Sequence, residues 1–111
     1  MEGIIDTHAT IQSQFFLLSD EERASVISHG AAIRFSELNK RIFLAQSKIS
    51  FFEEKYNKKL SELEEFGLPE DADYEIHEDY ILWNHWADVI RKSREQLVKL
   101  EVIVSYGIYI R

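Results

Sequence analysis

Residues 35–63 read FSELNKRIFLAQSKISFFEEKYNKKLSEL, and the spacing of the apolar residues in this stretch decides the fold. These residues recur at alternating steps of three and four, which is the heptad pattern of a helix packed along another helix. A lone helix would drift off such a seam by about 20° per heptad, so the pattern requires a facing helix. The seam consists of Phe35, Leu38, Ile42, Ala45, Ile49, Phe52 and Tyr56, and Leu60 and Leu63 continue it.

A second helix of the same chain is the natural partner for this seam. Gly67 and Pro69 follow the stripe as a helix stop, and a new apolar face begins between Asp71 and Ile76. A short connection makes the two helices antiparallel neighbours. The second face consists of Ile76, Tyr80, Trp83, Ala87, Ile90, Leu97 and Val104, with Arg94 and Glu101 at two steps of the series and Leu82, Trp86, Val89 and Leu100 widening it.

Both ends of the chain leave alternatives open. Apolar residues from Ile4 to Leu18 predict a first helix, and Ser19 to Glu22 have the capping-box form that begins a second one. Gly30 either ends that second helix or lies within a run that continues into the long helix. Residues 102–111 are rich in β-branched and aromatic residues, so they form either an extended tail or a helix that frays near Tyr106.

The patterns together predict an all-α protein built around a long, coiled-coil-like antiparallel helical hairpin. A chain of 111 residues is long enough for one domain with its own core. The predicted segments are N-terminal helices over 1–30, a long helix over 31–66, a loop over 67–75, a second long helix over 76–106 and a tail over 107–111.

Composition limits the compartment and the partners. The chain has no cysteine, which excludes a disulfide scaffold and a thiolate metal site. It has neither a signal-like N-terminus nor the roughly 18 uncharged apolar residues of a membrane span, so we expect a cytoplasmic protein that does not bind a membrane. Its net charge of -7 disfavours direct binding to nucleic acid, whose affinity comes largely from Lys and Arg.

The negative charge is concentrated in one region. Residues 53–79 contain eleven acidic residues against Lys55, Lys58 and Lys59, a local sum of -8 that leaves +1 for the rest of the chain. Such a run is either a solvated face or a surface that steers the chain toward a basic protein.

The histidines give little indication of a metal site or an active site. His85 and Asp88 are one helical turn apart, but two ligands do not make a metal site, and we expect neither metal nor cofactor. Arg23 and His29 have an Arg-x5-His spacing that resembles the catalytic signature of HEPN ribonucleases. Ala24 stands where that family usually has a polar residue, so we expect a non-enzyme and keep this pair as the catalytic alternative.

Aromatic residues cluster near the start of the second long helix. Trp83 and Trp86 are one turn apart and either fill the core of the hairpin or, through Trp86 above all, anchor an interface. An aromatic anchor with an acidic rim makes a plausible partner surface. The predicted partner-binding residues are Trp86, Trp83, Tyr80, Tyr74, Glu64, Glu65, Asp71, Asp73, Glu78 and Asp79.

A central stretch resembles a known group of proteins. Residues 52–65, FEEKYNKKLSELEE, and residues 77–83, HEDYILW, are similar to a pattern in small acidic helical antitoxin-like proteins of prokaryotic toxin–antitoxin modules. The resemblance covers about 35 residues, and Asn57 stands where those proteins usually have glycine. It implies no catalytic residues and a role in binding a partner protein.

These observations favour an acidic helical protein that binds and neutralises a basic partner, a toxin or a nuclease. A phage-type inhibitor of a nuclease follows the same physical logic. The alternative from another class is a self-associating structural or adaptor protein whose apolar faces serve a homodimer.

Overall fold

The computed structural model describes the backbone of residues 7–110 and the side chains of residues 10–105. Over that range the chain forms four helices and no strand, which confirms the all-α prediction: α1 is Thr7–Leu17, α2 is Asp20–Tyr56, α3 is Leu60–Phe66 and α4 is Tyr74–Ile110. None of the helices in the described range has a stretch apolar and long enough to cross a bilayer. The contacts divide the chain into two compact units, Ser36–Val98 and Met1–Phe35 with Lys99–Arg111.

In the unit that contains the N-terminus, the junction between α1 and α2 is held by caps. The Arg23 guanidinium donates to the backbone carbonyls of Phe16, at 3.0 Å, and Leu18, at 2.6 Å. These carbonyls belong to the end of α1, where helix geometry leaves them without a partner. The Ser19 hydroxyl accepts a hydrogen bond from the Glu22 amide at 3.1 Å, so the predicted start of the second helix is confirmed. The predicted side-chain contributions of Ile4, Ile5 and His8 lie outside the described residues.

Gly30 does not interrupt α2, which runs from Asp20 to Tyr56 without a break. The space around its α-carbon is open, because a β-carbon there would meet nothing within 4 Å. A helical glycine costs about 1 kcal/mol relative to alanine. Burial of Ala24 and Ala31 on the same helix offsets that cost.

Within residues 36–98, the heptad seam of α2 packs against α4 as predicted. Leu38 and Ala45 are fully buried and Ile42 is nearly so, while Ile49 and Tyr56 are half-buried. The two helices run antiparallel. Phe52 of α2 stacks on Trp83 of α4, and Lys55, one turn later on α2, contacts Asp79, one turn earlier on α4. The predicted antiparallel hairpin is therefore confirmed in this unit.

Trp83 lies at the centre of this packing, with 1% of its surface exposed. Its ring stacks on Phe52, with centroids 5.7 Å apart, and on Tyr56, with centroids 6.1 Å apart. Leu63 of α3 completes the cluster. The indole Nε1 has no hydrogen-bond partner among the described residues, which costs about 1–3 kcal/mol. Burial of so large an aromatic surface more than offsets this cost.

The prediction of one uninterrupted helix over 31–66 is wrong at its C-terminal end. Helix α2 ends at Tyr56, Asn57 adopts the left-handed conformation with φ of 52°, and α3 begins at Leu60. In a continuous helix, Leu63 would lie about 16 Å along the axis from Phe52. The break therefore brings Leu63 back into the core beside Phe52 and Trp83.

Asn57 is the residue that makes this break possible, and its substitution tests the point. We expect Asn57→Val to lower the free energy of unfolding by about 1–2 kcal/mol, because a β-branched residue is strained in the left-handed region. Asn57→Gly should be neutral or slightly stabilising. Urea unfolding followed by circular dichroism measures both. Lys58→Val at the exposed neighbouring position is the control, and an equal loss there would contradict the role of Asn57.

Helix α4 begins at Tyr74, inside the predicted window, but its inward face departs from the predicted series. Ser93 is 2% exposed, whereas Arg94, which the spacing placed on the seam, lies at the surface. Likewise Leu100 is half-buried and Glu101 is exposed. From Ile90, a step of three residues leads to Ser93 and a step of four leads to Arg94, and either step keeps to the seam. The chain buries the small, neutral serine because burying the guanidinium of Arg94 would cost far more free energy.

Of the two alternatives for the C-terminal residues, the described chain follows the helical one, and α4 continues past the expected end near Tyr106 to Ile110. Val102 and Ile103 have high strand propensity, but no strand edge competes for them within the described residues. Continued helix keeps Leu97, Leu100 and Val104 on one half-buried face. Burial of an apolar face outweighs local propensity here.

The buried position of Ser93 gives a second test of the packing. We expect Ser93→Leu to destabilise the protein by about 1–3 kcal/mol, because extra volume in a packed seam forces neighbouring side chains apart. Ser93→Ala should be tolerated within about 0.5 kcal/mol. Arg94→Leu is the matched control. A gain in thermal stability from Arg94→Leu together with tolerance of Ser93→Leu would mean that the seam runs through residue 94.

Candidate functional site

The strongest charge feature of the structure is the connection between the two long helices. Residues 60–79, which we call the acidic turn, contain nine acidic residues and no lysine or arginine. The acidic turn comprises α3, the loop over 67–73 and the first turns of α4. Its negative charge is therefore carried by a short folded segment.

The acidic turn is fixed in place by the core and by its own caps. Leu63 anchors α3 in the cluster with Trp83, and the Gly67 amide donates to the Leu63 carbonyl at 2.7 Å where the chain turns with φ of 75°. The Asp73 carboxylate accepts a hydrogen bond from the Ile76 amide at 3.0 Å and so caps the start of α4. The backbone of the loop is therefore held by hydrogen bonds at both ends.

One lysine ties the acidic turn to α2. The Lys55 ammonium lies 2.5 Å from a Glu75 oxygen and 2.6 Å from an Asp79 oxygen. The Tyr56 hydroxyl also donates to Asp79. Hydrogen bonds from Lys55 and then Tyr56 lower the pKa of Asp79, and the same carboxylates raise the pKa of Lys55. The Asp79 carboxylate is only 14% exposed and holds the hairpin together. One oxygen of this carboxylate is taken up by Lys55 and Tyr56, so these internal contacts compete with the predicted role of Asp79 in partner binding.

This ion pair predicts a dependence of stability on pH. Because the pKa of Asp79 in the folded chain lies below the ordinary value of 3.8, its stabilisation is present above that value. It is lost as the pH falls through the lower folded value. We expect Asp79→Asn to lower the melting temperature at pH 7 and to flatten its decline between about pH 5 and pH 2. Thermal melts of Asp71→Asn, at an exposed residue without an ion pair, are the control and should decline as the wild type does.

Several acids of the acidic turn have no internal partner. Glu64, Glu65, Glu70 and Asp71 are exposed and form no ion pair with any residue whose side chain the structure describes. Carboxylates held at the surface in this way accept hydrogen bonds from lysine or arginine of another molecule. Their field also favours the approach of a cationic surface.

Two exposed aromatic rings lie in the same segment. Phe66 at the end of α3 is 78% exposed, and Tyr74 at the start of α4 is 79% exposed. Glu78 accepts a hydrogen bond from the Tyr74 hydroxyl, which raises the pKa of that tyrosine. Large rings with this exposure provide apolar contact area, and their faces attract cations. The acidic turn thus combines charge with aromatic anchors.

The ten predicted partner-binding residues differ in burial and in internal contacts. Asp79 is held in the ion pair with Lys55. Trp83 is buried in the core, which is the first of the two alternatives left open for it, and is not accessible to a partner. Trp86 and Tyr80 are half-buried and pack against that core. Asp73 serves as the cap of α4. The exposed members that remain in the acidic turn are Glu64, Glu65, Asp71, Tyr74 and Glu78.

Sequence reasoning missed Phe66. Phe66 continues the three-residue step of Leu60 and Leu63, so the spacing alone would place it on the inward apolar stripe. The signal was available in the charges, because Phe66 directly follows Glu64 and Glu65 and precedes the glycine that ends α3. A ring at the edge of an acidic segment, next to a helix stop, is placed to face solvent.

The predicted catalytic alternative receives no support from side-chain geometry. The Arg23 guanidinium is bonded to the end of α1 and to Asp20, and the His29 imidazole is bonded to Ser25 on its own helix. Residues six apart on a helix are also about 120° apart around it. Among the described residues, no group of three or more histidine and acidic side chains is placed to hold a metal ion.

Comparisons with protein-family models, with curated proteins and with solved structures find no match to this chain. The suggested functional site therefore depends on the geometry and charge described above.

Proposed function

We propose that this chain binds a basic protein through its acidic turn and neutralises it, as an antitoxin does. The observation that carries the proposal is a set of exposed carboxylates, Glu64, Glu65, Glu70 and Asp71, that form no ion pair among the described side chains and lie in the same segment as the exposed rings of Phe66 and Tyr74. Aromatic anchors inside a polar rim are typical of protein interfaces. The resemblance of residues 52–65 and 77–83 to antitoxin-like proteins points to the same role.

The acidic turn is preorganised for binding. Leu63 fixes α3, Asp73 caps α4 and Lys55 joins the segment to α2, so the exposed groups are presented on a backbone that is already ordered. Binding then costs less conformational entropy than it would for a flexible acidic loop. The free charges speed the encounter with a cationic surface, and the rings slow dissociation.

The partner best suited to this surface has a cleft lined with lysine and arginine. Enzymes that cleave nucleic acid have such clefts, because phosphate contacts dominate their affinity. A row of carboxylates on a folded turn can occupy a cleft of that kind and exclude the substrate. A toxin with nuclease activity and a nuclease inhibited by a phage-type protein present the same chemistry, and the proposal covers both.

Affinity purification from the native host tests the proposal. The wild-type chain, bound to a resin at low salt, should retain a basic protein that elutes as the salt concentration rises. The triple variant Glu64→Gln, Glu65→Gln, Glu70→Gln should retain about tenfold less of it, because the steering charge is reduced. The control changes three exposed acids elsewhere in the same way, Glu21, Glu22 and Glu101, and should retain the wild-type amount.

The captured protein provides the functional test. Expressed alone in a foreign host it should arrest growth, and co-expression with this chain should restore growth. Phe66→Ser should weaken binding by about tenfold or more without changing the helical circular-dichroism spectrum, because the ring is exposed and acts as an anchor. A captured protein that is acidic, or that binds the triple variant and the wild type equally, would contradict the proposal.

A further inference from the structure

A second surface lies on α2 and is formed by residues other than those of the acidic turn. Phe43 and Phe51 are 73% and 57% exposed, which is unusual for large aromatic residues in the middle of a helix that already has a buried seam. They border a shallow depression of about 470 Å³ together with Ser47, Ser50 and Glu54. Exposed apolar surface of this kind marks an interaction site.

The order of residues along this surface is symmetric. Lys40, Phe43, Ser47, Phe51 and Glu54 follow one another at steps of three, four, four and three, so Ser47 is the midpoint. At about 100° per residue, all five lie within about 40° of one line along the helix. In both directions along the helix from Ser47, a phenylalanine comes first and a charged residue second. The two charged residues, Lys40 and Glu54, have opposite signs. We call these five residues the palindromic face.

We propose that the palindromic face binds the same face of a second copy of this chain, with the two α2 helices antiparallel and a two-fold axis at Ser47. That operation places Phe43 of one copy against Phe51 of the other, and Lys40 against Glu54. Each contact occurs twice, as an isologous interface requires. The result is a dimer held by four aromatic rings and closed at both ends by ion pairs.

The charges identify a second copy as the occupant. Lys40 and Glu54 are exposed, and neither forms an ion pair with any residue whose side chain the structure describes. In the antiparallel arrangement each finds its opposite charge, while a parallel arrangement would place lysine beside lysine and glutamate beside glutamate. Like charges opposed in this way are destabilising.

Ser47 suits the position on the axis. Its hydroxyl already donates to the Phe43 carbonyl within α2, at 3.0 Å, so it needs no partner in the interface. Its side chain is also small, which lets two helix backbones approach closely where they cross. A large residue at this position would hold the flanking rings apart.

An apolar groove beside the palindromic face extends the area that a second copy covers. Leu44, Leu82 and Trp86 line a cavity of about 540 Å³ that shares Ser47 and Phe51 with the palindromic face. Leu44 and Leu82 are each about half exposed. Helix α2 from Ser36 to Tyr56 is about 30 Å long. A second copy seated along this length also covers the groove, so the dimer buries more apolar surface than the palindromic face alone provides.

Single cysteines test the axis directly, because the chain has no cysteine of its own. In the antiparallel dimer, two Ser47→Cys residues face each other within disulfide reach, and mild oxidation should cross-link the chains. Ser36→Cys on the same helix is the control. It lies eleven residues from the axis, so two copies of it are about 33 Å apart and should not cross-link. Cross-linking of both variants would indicate a parallel dimer and would overturn the proposal.

Charge reversal tests the pairing. By light scattering and sedimentation, the wild type should be a dimer at concentrations of roughly tens of micromolar. Lys40→Glu and Glu54→Lys should each weaken the dimer about tenfold, because each change affects two symmetry-related pairs. The double variant should recover most of the loss. Failure of the double variant to recover, with the helical spectrum intact, would contradict the pairing.

Removal of one ring completes the set. Phe43→Asp should give a monomer over the same concentration range, whereas Ile81→Asp, at an exposed apolar residue of α4 outside the groove and the palindromic face, should stay dimeric. A wild type that is monomeric throughout would overturn the proposal. The binding of a basic partner by the acidic turn would still stand, because none of its residues lies on the palindromic face.

Discussion

The structure depends on the burial of Trp83 between Phe52, Tyr56 and Leu63. Two of these contacts come from α2 and the third from α3, and a single straight helix could not supply all three. The chain therefore has to break between Tyr56 and Leu60, where Asn57 takes the left-handed conformation. The break sets where α3 lies, and α3 sets where the acidic turn begins.

Charge is distributed according to the same constraint. Lys55 is close enough to the core cluster to reach Glu75 and Asp79, and this bridge neutralises part of the charge that the turn brings together. The acids farther along α3 and the loop lie beyond its reach and stay exposed. Some acids of this segment therefore hold the hairpin together, and others are exposed to a partner. The net charge of the segment does not distinguish the two kinds.

Much of the architecture was predictable from the sequence, and the errors have specific causes. The seam from Phe35 to Tyr56 was correct because seven apolar residues in a regular heptad allow one inward face. The helix over 31–66 was wrong because Leu60 and Leu63 fit the same spacing whether the helix continues or folds back. The acidic region and the inward position of Trp83 were predicted, but the ion pair of Asp79 and the exposure of Phe66 were not, since spacing gives no information on which neighbour a side chain meets.

The sequence by itself determined that the chain is helical, that its centre is a paired hairpin and that its net negative charge is concentrated around one connection. These are properties of periodicity and composition, which act locally and hold for any arrangement of the helices. Only the tertiary structure decided that Ser93 rather than Arg94 is buried, that Trp83 stacks on Phe52 and Tyr56, and that Phe66 faces solvent. In each case the outcome depends on contacts with residues distant in sequence. The free energy of burying a side chain depends on those contacts, which a local pattern does not specify.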